Sequence, residues 1–408
     1  MNTHPNHPPR RVDRVVPDNI CPVCASEALS VFFEVSDVPV HVGLQWPSQD
    51  AARDCPKGDI KLAFCTVCGY ITNLSFKPAL LEYAQSYENP LHYSPFFQSY
   101  ARSLVERLIE RHDLRDKNVI EIGSGKGEFL QLLCELGNNC GVGFDPSYER
   151  KRTRKQDTKR IKFIRDFYSE RYAGSYQADL ICCRFVFEHI PDPTGFLTML
   201  RQAIGNKSDT VVYFEVPNAL SILRDLSIWD IIYEHCSYFS SESLARIFTS
   251  CGFEICDLGE CYGGQFVSIE ALPRRGETDS GYELRGNLTQ IGGYVTAFAD
   301  KCRDKIRIWQ SMLDEIQQAG RRAVAWGAGS KGVSFLNMLK GQDVVEHVVD
   351  INPHKQSKHI AGTGQQIVSP RFLQSYQPDV VIVMNPIYET EIQQIMHNLG
   401  LTAEILCA

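Results

Sequence analysis

The stretch Val119-Ile120-Glu121-Ile122-Gly123-Ser124-Gly125-Lys126-Gly127-Glu128-Phe129-Leu130 constrains this chain more than any other. An apolar run, three alternating glycines and an amphipathic stretch predict a strand, a tight turn and a helix from Gly127 to Leu136. Glycine reaches positive φ at little cost and lets the backbone approach a ligand. The first turn of a helix offers unpaired N–H groups to a carboxylate or phosphate. Short apolar runs recur at GVGFD (141–145), IKFI (161–164), ADLICC (178–183) and TVVYFEVP (210–217), with amphipathic stretches between them. Strands alternating with helices predict an α/β doubly wound, mostly parallel sheet.

A bare Gly-x-Gly-x-Gly is equally compatible with nicotinamide and flavin cofactors. Three further features favour S-adenosylmethionine. Glu121 stands on the strand just before the turn, which resembles the place where methyltransferases often carry an acid that faces the methionine end of the cofactor. Asp145, in Gly143-Phe144-Asp145-Pro146, follows Gly125 by 20 residues and suits the ribose hydroxyls. Ile164-Arg165-Asp166-Phe167 fits an adenine-side loop, and RFVFEHIPDP, from Arg184 to Pro193, fits the segment that closes the pocket. His189 follows Glu188 in that segment and invites a catalytic reading, but by resemblance to methyltransferases such a histidine is expected by the methionine moiety or as a cap on the following turn. The expected cofactor contacts are therefore Glu121, Gly123, Ser124, Gly125, Gly127, Asp145, Pro146, Asp166, Phe167, Arg184 and His189.

Beyond the last of these strands lies Tyr233-Glu234-His235-Cys236-Ser237-Tyr238-Phe239-Ser240. S-adenosylmethionine carries its own electrophile, so the protein must align a nucleophile with the methyl group. Where that nucleophile is a carbon beside a carbonyl, a base must take its proton, and histidine is matched to neutral pH. His235 is the candidate, with Glu234 orienting its ring or bonding a substrate hydroxyl. Alternatively, His235 caps the helix expected from Ser241 to Ser250, with Tyr238 and Phe239 in the core.

A second strand and glycine turn, RRAVAWGAGSKG, begins at Arg321 after a long helical pattern from about Tyr294 to Gln318. Strand-like HVVDI and PDVVIVMN follow at βαβ spacing, which predicts a second Rossmann-like unit. Its turn amides and Lys331 suit a pyrophosphate or sugar-linked phosphate, and Asp350 a hydroxyl of the same ligand. A purely structural glycine turn is the alternative.

The chain has 15 cysteines and no secretory signal, so metal binding is a better reading than disulfides. Cys21-Pro22-Val23-Cys24 and Cys65-Thr66-Val67-Cys68 are two knuckles with 40 residues between them, the pattern of a four-cysteine zinc site. All four positions being thiolate leaves no open coordination site, so such a zinc is structural. Buried or redox cysteines are the alternative reading. A net charge of −7 disfavours a nucleic-acid partner. No apolar run suits a membrane span, so the expected compartment is the cytoplasm. The expected divisions are a disordered tail (1–16), a zinc module (17–80), a cofactor-binding core (81–271), a linker and long helix (272–320), and a C-terminal Rossmann-like domain (321–408).

This order of parts, with the segment Glu234 to Ser240 and the GAGSKG turn, resembles the sugar C-methyltransferases that act on nucleotide-linked keto-deoxysugars. The resemblance implies a class I methyltransferase core and an acceptor held partly by the C-terminal domain. It further implies His235 as the base that forms an enolate, Glu234 as its acidic neighbour, Lys331 near the phosphates, and Tyr87 or Tyr93 at the sugar. The family's tyrosine two positions before the glutamate is Ile232 here, with Tyr233 adjacent as a substitute. Where the family has an aromatic-rich strand end, this chain reads Met384-Asn385-Pro386-Ile387-Tyr388. The implied partner is a small molecule, with no membrane or nucleic acid, and the chain is a monomer or homodimer. The rival readings are an O- or N-methyltransferase of the same architecture and a non-catalytic, zinc-stapled binding protein.

Overall fold

The computed structural model describes residues 20–81, 87–88, 91–150, 160–275, 288–339, 341 and 344–408. The expected tail (1–16) and residues 276–287 of the expected linker and long helix lie outside them. Among the described residues no helix is long and apolar enough to cross a membrane.

The central sheet has seven strands. Leu180–Arg184 is wholly buried and Asn118–Ile122 nearly so, as apolar runs must be when helices cover both faces of a sheet. In order across the sheet come Phe253–Cys261, Phe266–Pro273, Val211–Pro217, Leu180–Arg184, Asn118–Ile122, Cys140–Phe144 and Ile161–Ile164. Phe266–Pro273 runs antiparallel to both of its neighbours, and the other six strands are mutually parallel. The helix after the glycine turn is Glu128–Gly137. A second, five-stranded parallel sheet is ordered Gln366–Val368, Val345–Val349, Ala323–Trp326, Val380–Val383 and Glu404–Cys407. Both sheets are the doubly wound units expected from the sequence.

The N-terminal module is less self-contained than its sequence suggests. Its antiparallel sheet joins Leu29–Pro39, Lys57–Cys65 and Ile71–Asn73 to a fourth strand, Ser237–Tyr238, contributed by the core. Asn73 N donates to Cys236 O at 3.1 Å, Thr72 Oγ1 donates to the same carbonyl at 3.0 Å, and Tyr70 OH bonds Ser237 Oγ. The residue after His235 is thus held by the module.

The long helix, Leu288–Gln318, begins six residues before the expected Tyr294. Its buried residues Ile291, Val295, Phe298, Cys302, Trp309, Leu313 and Ile316 follow helical spacing and make one apolar stripe. Phe298 meets Phe32 and Phe33 of the N-terminal sheet edge-on at 5.8 and 5.4 Å, and Trp309 meets Phe335 of the C-terminal unit at 5.1 Å. The helix is therefore a brace between the first and last parts of the chain, inside one apolar cluster that also holds Ile60, Trp229 and Ala325.

Candidate active site

The C-terminal ends of Asn118–Ile122 and Ala323–Trp326 open onto one cavity of about 1260 Å³, lined by both glycine turns. The crevice beyond the carboxyl ends of parallel strands is where doubly wound sheets place ligands. The two units stiffen their turns in the same way. In the first, Gly125 N donates to Asp145 Oδ2 at 2.8 Å, while Ser147 N and Oγ donate to Asp145 Oδ1 at 2.7 and 2.6 Å. In the second, Ala328 N donates to Asp350 Oδ2 at 2.9 Å and Asn352 N to Oδ1 at 2.8 Å. An ionised carboxylate has about four acceptor sites, so Asp145 keeps capacity for a ligand hydroxyl. Lys355, which carries no motif in the sequence, is buried beside Asp350 and donates to Asp350 Oδ2 at 3.3 Å and Ala328 O at 3.1 Å.

A buried carboxyl and a buried guanidinium stand in the cavity wall. Glu121 Oε2 has no hydrogen-bond partner, and burial pushes its carboxyl up to about 8 despite the opposing Arg184. Arg184 Nε donates to Glu215 Oε2 at 2.6 Å and its guanidinium lies over the Phe129 ring at 4.1 Å, yet its Nη2 is buried without a partner. Glu215 also accepts from Tyr100 OH at 2.6 Å and Tyr213 OH at 3.3 Å. Buried polar groups left unsatisfied are uncommon and point to a missing ligand. An acceptor and a donor so placed match the ammonium and carboxylate of an amino acid, as S-adenosylmethionine possesses. Ser124 Oγ is likewise buried without a partner. Phe167 is 53% exposed and lines the cavity with Pro146, an apolar face of the kind an adenine covers.

Three residues expected at ligands face elsewhere. The Asp166 carboxylate accepts from Phe167 N at 2.9 Å and Tyr172 OH at 2.6 Å and pairs with Arg171, so it is absent from the cavity wall. Gly127 caps the helix with its Cα against Phe163, where an added Cβ would lie 2.4 Å from Cζ. Tyr233 is buried under the N-terminal sheet, accepting from Lys77 N at 2.9 Å and stacking on Phe76 at 5.7 Å. Its neighbours Ile232, Glu234 and His235 line the cavity instead.

His235 does not cap the following helix. Ser240 does, its Oγ accepting from Ser243 N at 3.3 Å. The His235 ring is buried in the cavity wall, with Nδ1 unpartnered and its centroid 5.0 Å from that of His189. Burial drives its pKa well below the ordinary histidine value, with repulsion from His189 and Lys331 adding to the effect. Glu234 makes no hydrogen bond to this ring. Its carboxylate accepts from Tyr87 OH at 2.8 Å and Val42 N at 3.1 Å and lies 3.5 Å from His41 Nδ1. Its backbone carbonyl lies 2.9 Å from His189 Nδ1. Glu234 thus ties the His235 segment to the N-terminal module and to Tyr87, partners 192 and 147 residues away that no local motif announces. Tyr87, Tyr93 and Lys331 all line the cavity, with Lys331 paired to Asp230.

The four cysteines converge. Cys21 and Cys68 Sγ are 3.5 Å apart, Cys24 and Cys65 Sγ 3.6 Å, and all four lie within 4.8 Å of one another. Thiolates at 2.3 Å around a tetrahedral ion are separated by roughly 3.8 Å, so this donor set fits zinc.

Comparisons with known proteins agree with this geometry. A family model described as "Methyltransferase domain" matches residues 93–258, and one described as "C-methyltransferase C-terminal domain" matches residues 280–402. The C-methyltransferase NovU of Streptomyces niveus is 27% identical over 305 residues, which cover 71% of this chain and 72% of that protein. Among solved structures, magnesium protoporphyrin IX methyltransferase of Synechocystis PCC 6803 with bound S-adenosylhomocysteine is 17% identical. It aligns with 44% of this chain and 84% of its own, at a TM-score of 0.34. The N,N-8-amino-8-demethyl-D-riboflavin dimethyltransferase RosA of Streptomyces davawensis is also 17% identical, covering 43% of this chain and 54% of its own at a TM-score of 0.35.

Proposed function

The chain is an S-adenosylmethionine-dependent C-methyltransferase with a class I methyltransferase core, and from that premise we propose that it methylates the carbon beside the ketone of a nucleotide-linked keto-sugar, with His235 as the base. The observation that carries this reading is a buried imidazole with a free ring nitrogen in the wall of a cavity that two glycine turns share. Hydroxyl and amine acceptors are nucleophiles once positioned, but a carbon acid must first lose a proton. Held well below its ordinary pKa, His235 is neutral at pH 7 and ready to accept one. When bound, S-adenosylmethionine supplies an electrophilic methyl group on a sulfonium.

The remaining steps belong to the protein. Glu121 and Arg184 hold the amino-acid end of the cofactor, and Asp145 its ribose. Glu234, anchored by Tyr87 and Val42 N, fixes the backbone from which His235 reaches the acceptor. Lys331 and the amides of the second turn receive the phosphates, and Tyr87 and Tyr93 contact the sugar. A cavity of about 1260 Å³ exceeds the roughly 300–1,000 Å³ usual for one small ligand and has room for cofactor and acceptor together. The four cysteines hold a structural zinc, and the chain works as a monomer or homodimer.

The test is methyl transfer from labelled cofactor to a panel of nucleotide-linked keto-sugars, read by mass spectrometry. A labelled product whose new methyl replaces a carbon-bound hydrogen is expected, and turnover should fall about 10²-fold or more in His235→Gln with cofactor affinity unchanged. Retention of most activity by that variant refutes the assigned base.

A further inference from the structure

Glu188 takes no part in the steps above, yet it stands beside the base. It lies in the single turn Phe187–His189, lines the cavity and is 2% exposed. Its Oε2 has no hydrogen-bond partner, and its Oε1 is 3.9 Å from His189 Nε2. Its backbone carbonyl accepts from Cys236 N at 3.0 Å, so it is in register with the residue that follows His235. Polar atoms of Glu188, His189 and His235 all lie within 4.8 Å of one another. Other donors around the base are engaged: Tyr87 OH with Glu234, Lys331 with Asp230, and His189 Nδ1 with the Glu234 carbonyl.

Burial acts on this pair in opposite directions. It pushes the Glu188 carboxyl up to about 8, helped by the charge of Glu215, while it drives His235 down. The acid therefore keeps its proton at neutral pH and the base lacks one. Neighbouring groups whose environments separate their proton affinities in this way divide the acid and base roles of a site. Removing a proton beside a ketone moves negative charge onto the ketone oxygen, where a preorganised donor in a dry site is most effective.

We propose that Glu188, as a neutral carboxylic acid, donates a hydrogen bond to the ketone oxygen of the acceptor as the enolate forms. The assignment rests on the keto-acceptor reading above. The carbon–hydrogen bond breaks, its proton passes to His235, and its electron pair becomes the enolate double bond while the carbonyl π pair moves to the oxygen that Glu188 faces. That charge then returns to form the new carbon–carbon bond with the methyl group, and the carbon–sulfur pair stays on sulfur. His235 gives its proton to water, and the Glu188 proton is not consumed.

The test is deuterium uptake from D2O into a nucleoside-diphosphate-linked 4-keto-6-deoxyhexose with the enzyme and no cofactor, read by mass spectrometry. Methyl transfer and calorimetric S-adenosylmethionine affinity are measured alongside. Glu188→Ala should lower exchange and methyl transfer together by about 10²–10³-fold with cofactor affinity unchanged. Glu188→Gln, which keeps an N–H donor, should recover part of both. Wild-type exchange in Glu188→Ala, or equal losses in both variants accompanied by lost cofactor binding, overturns the donor assignment. His235→Gln separates this result from the parent reading. Exchange lost there but kept in Glu188→Ala defeats the donor alone, whereas exchange kept in His235→Gln, or absent from the wild type, defeats the base and the donor with it.

Discussion

Two alanine substitutions in the first glycine turn should have opposite signatures. Gly123 and Gly125 have φ of +73° and +54°, so either alanine is forced into the left-handed region at about 1–2 kcal/mol. What the new methyl meets then differs. At position 123 it would lie 2.0 Å from Val186 Cγ2, and overpacking of this kind adds about 1–3 kcal/mol. Gly123→Ala should therefore cost about 2–5 kcal/mol of stability in all. At position 125 nothing lies within 4 Å, because that face opens into the cavity. Gly125→Ala should cost only the backbone strain, but it puts a methyl into the cavity where the cofactor is proposed to sit. Its S-adenosylmethionine affinity should fall at least tenfold, which is about 1.4 kcal/mol. Thermal unfolding without cofactor and isothermal calorimetry with it read the two effects separately. Wild-type affinity in Gly125→Ala would show that the cofactor does not cover this turn. Equal unfolding curves for the two variants would refute the packing argument.

Two further outcomes concern the base and the metal. Because burial holds His235 well below its ordinary pKa of 6.5, its neutral form should persist through pH 6.5, and the acid limb of kcat/KM should fall at lower pH as the ring protonates, with a separate alkaline limb near 8 as Glu188 loses its proton. An acid limb centred at or above 6.5 would contradict the burial argument. Purified protein should contain one zinc per chain by elemental analysis, and Cys68→Ala should lose it and melt at lower temperature. Metal-free protein with an unchanged melt would refute the zinc site.

What could be read from the sequence was what local chemistry writes locally. The Gly123–Gly127 turn, Asp145 at its strand end and the two cysteine knuckles each carry their reason in adjacent residues. Side-chain direction does not. Tyr233 and Ile232 are neighbours, and the turn that His235 N closes onto Ile232 O leaves one under the N-terminal sheet and the other in the cavity wall. Asp166 has the right place for an adenine-side acid, but Arg171 and Tyr172, five and six residues on, claim its carboxylate. Glu234 was read as a partner of His235 because the two are adjacent, whereas its actual partners come from the other end of the chain. Glu188 has no role that its neighbours announce, because its burial and its unpartnered Oε2 are set by the fold around it.

The two-residue strand Ser237–Tyr238 has a consequence for how such enzymes can be recombined. A cut near residue 80 looks like a natural seam, since the four-cysteine part of the chain precedes it and the central sheet follows. A graft made at that seam would give the incoming segment a foreign fourth strand, and His235, two residues before that strand, would inherit whatever misfit resulted. The module with its fourth strand is discontinuous, residues 20–81 together with 231–240, so that moving it between relatives means moving both segments as one.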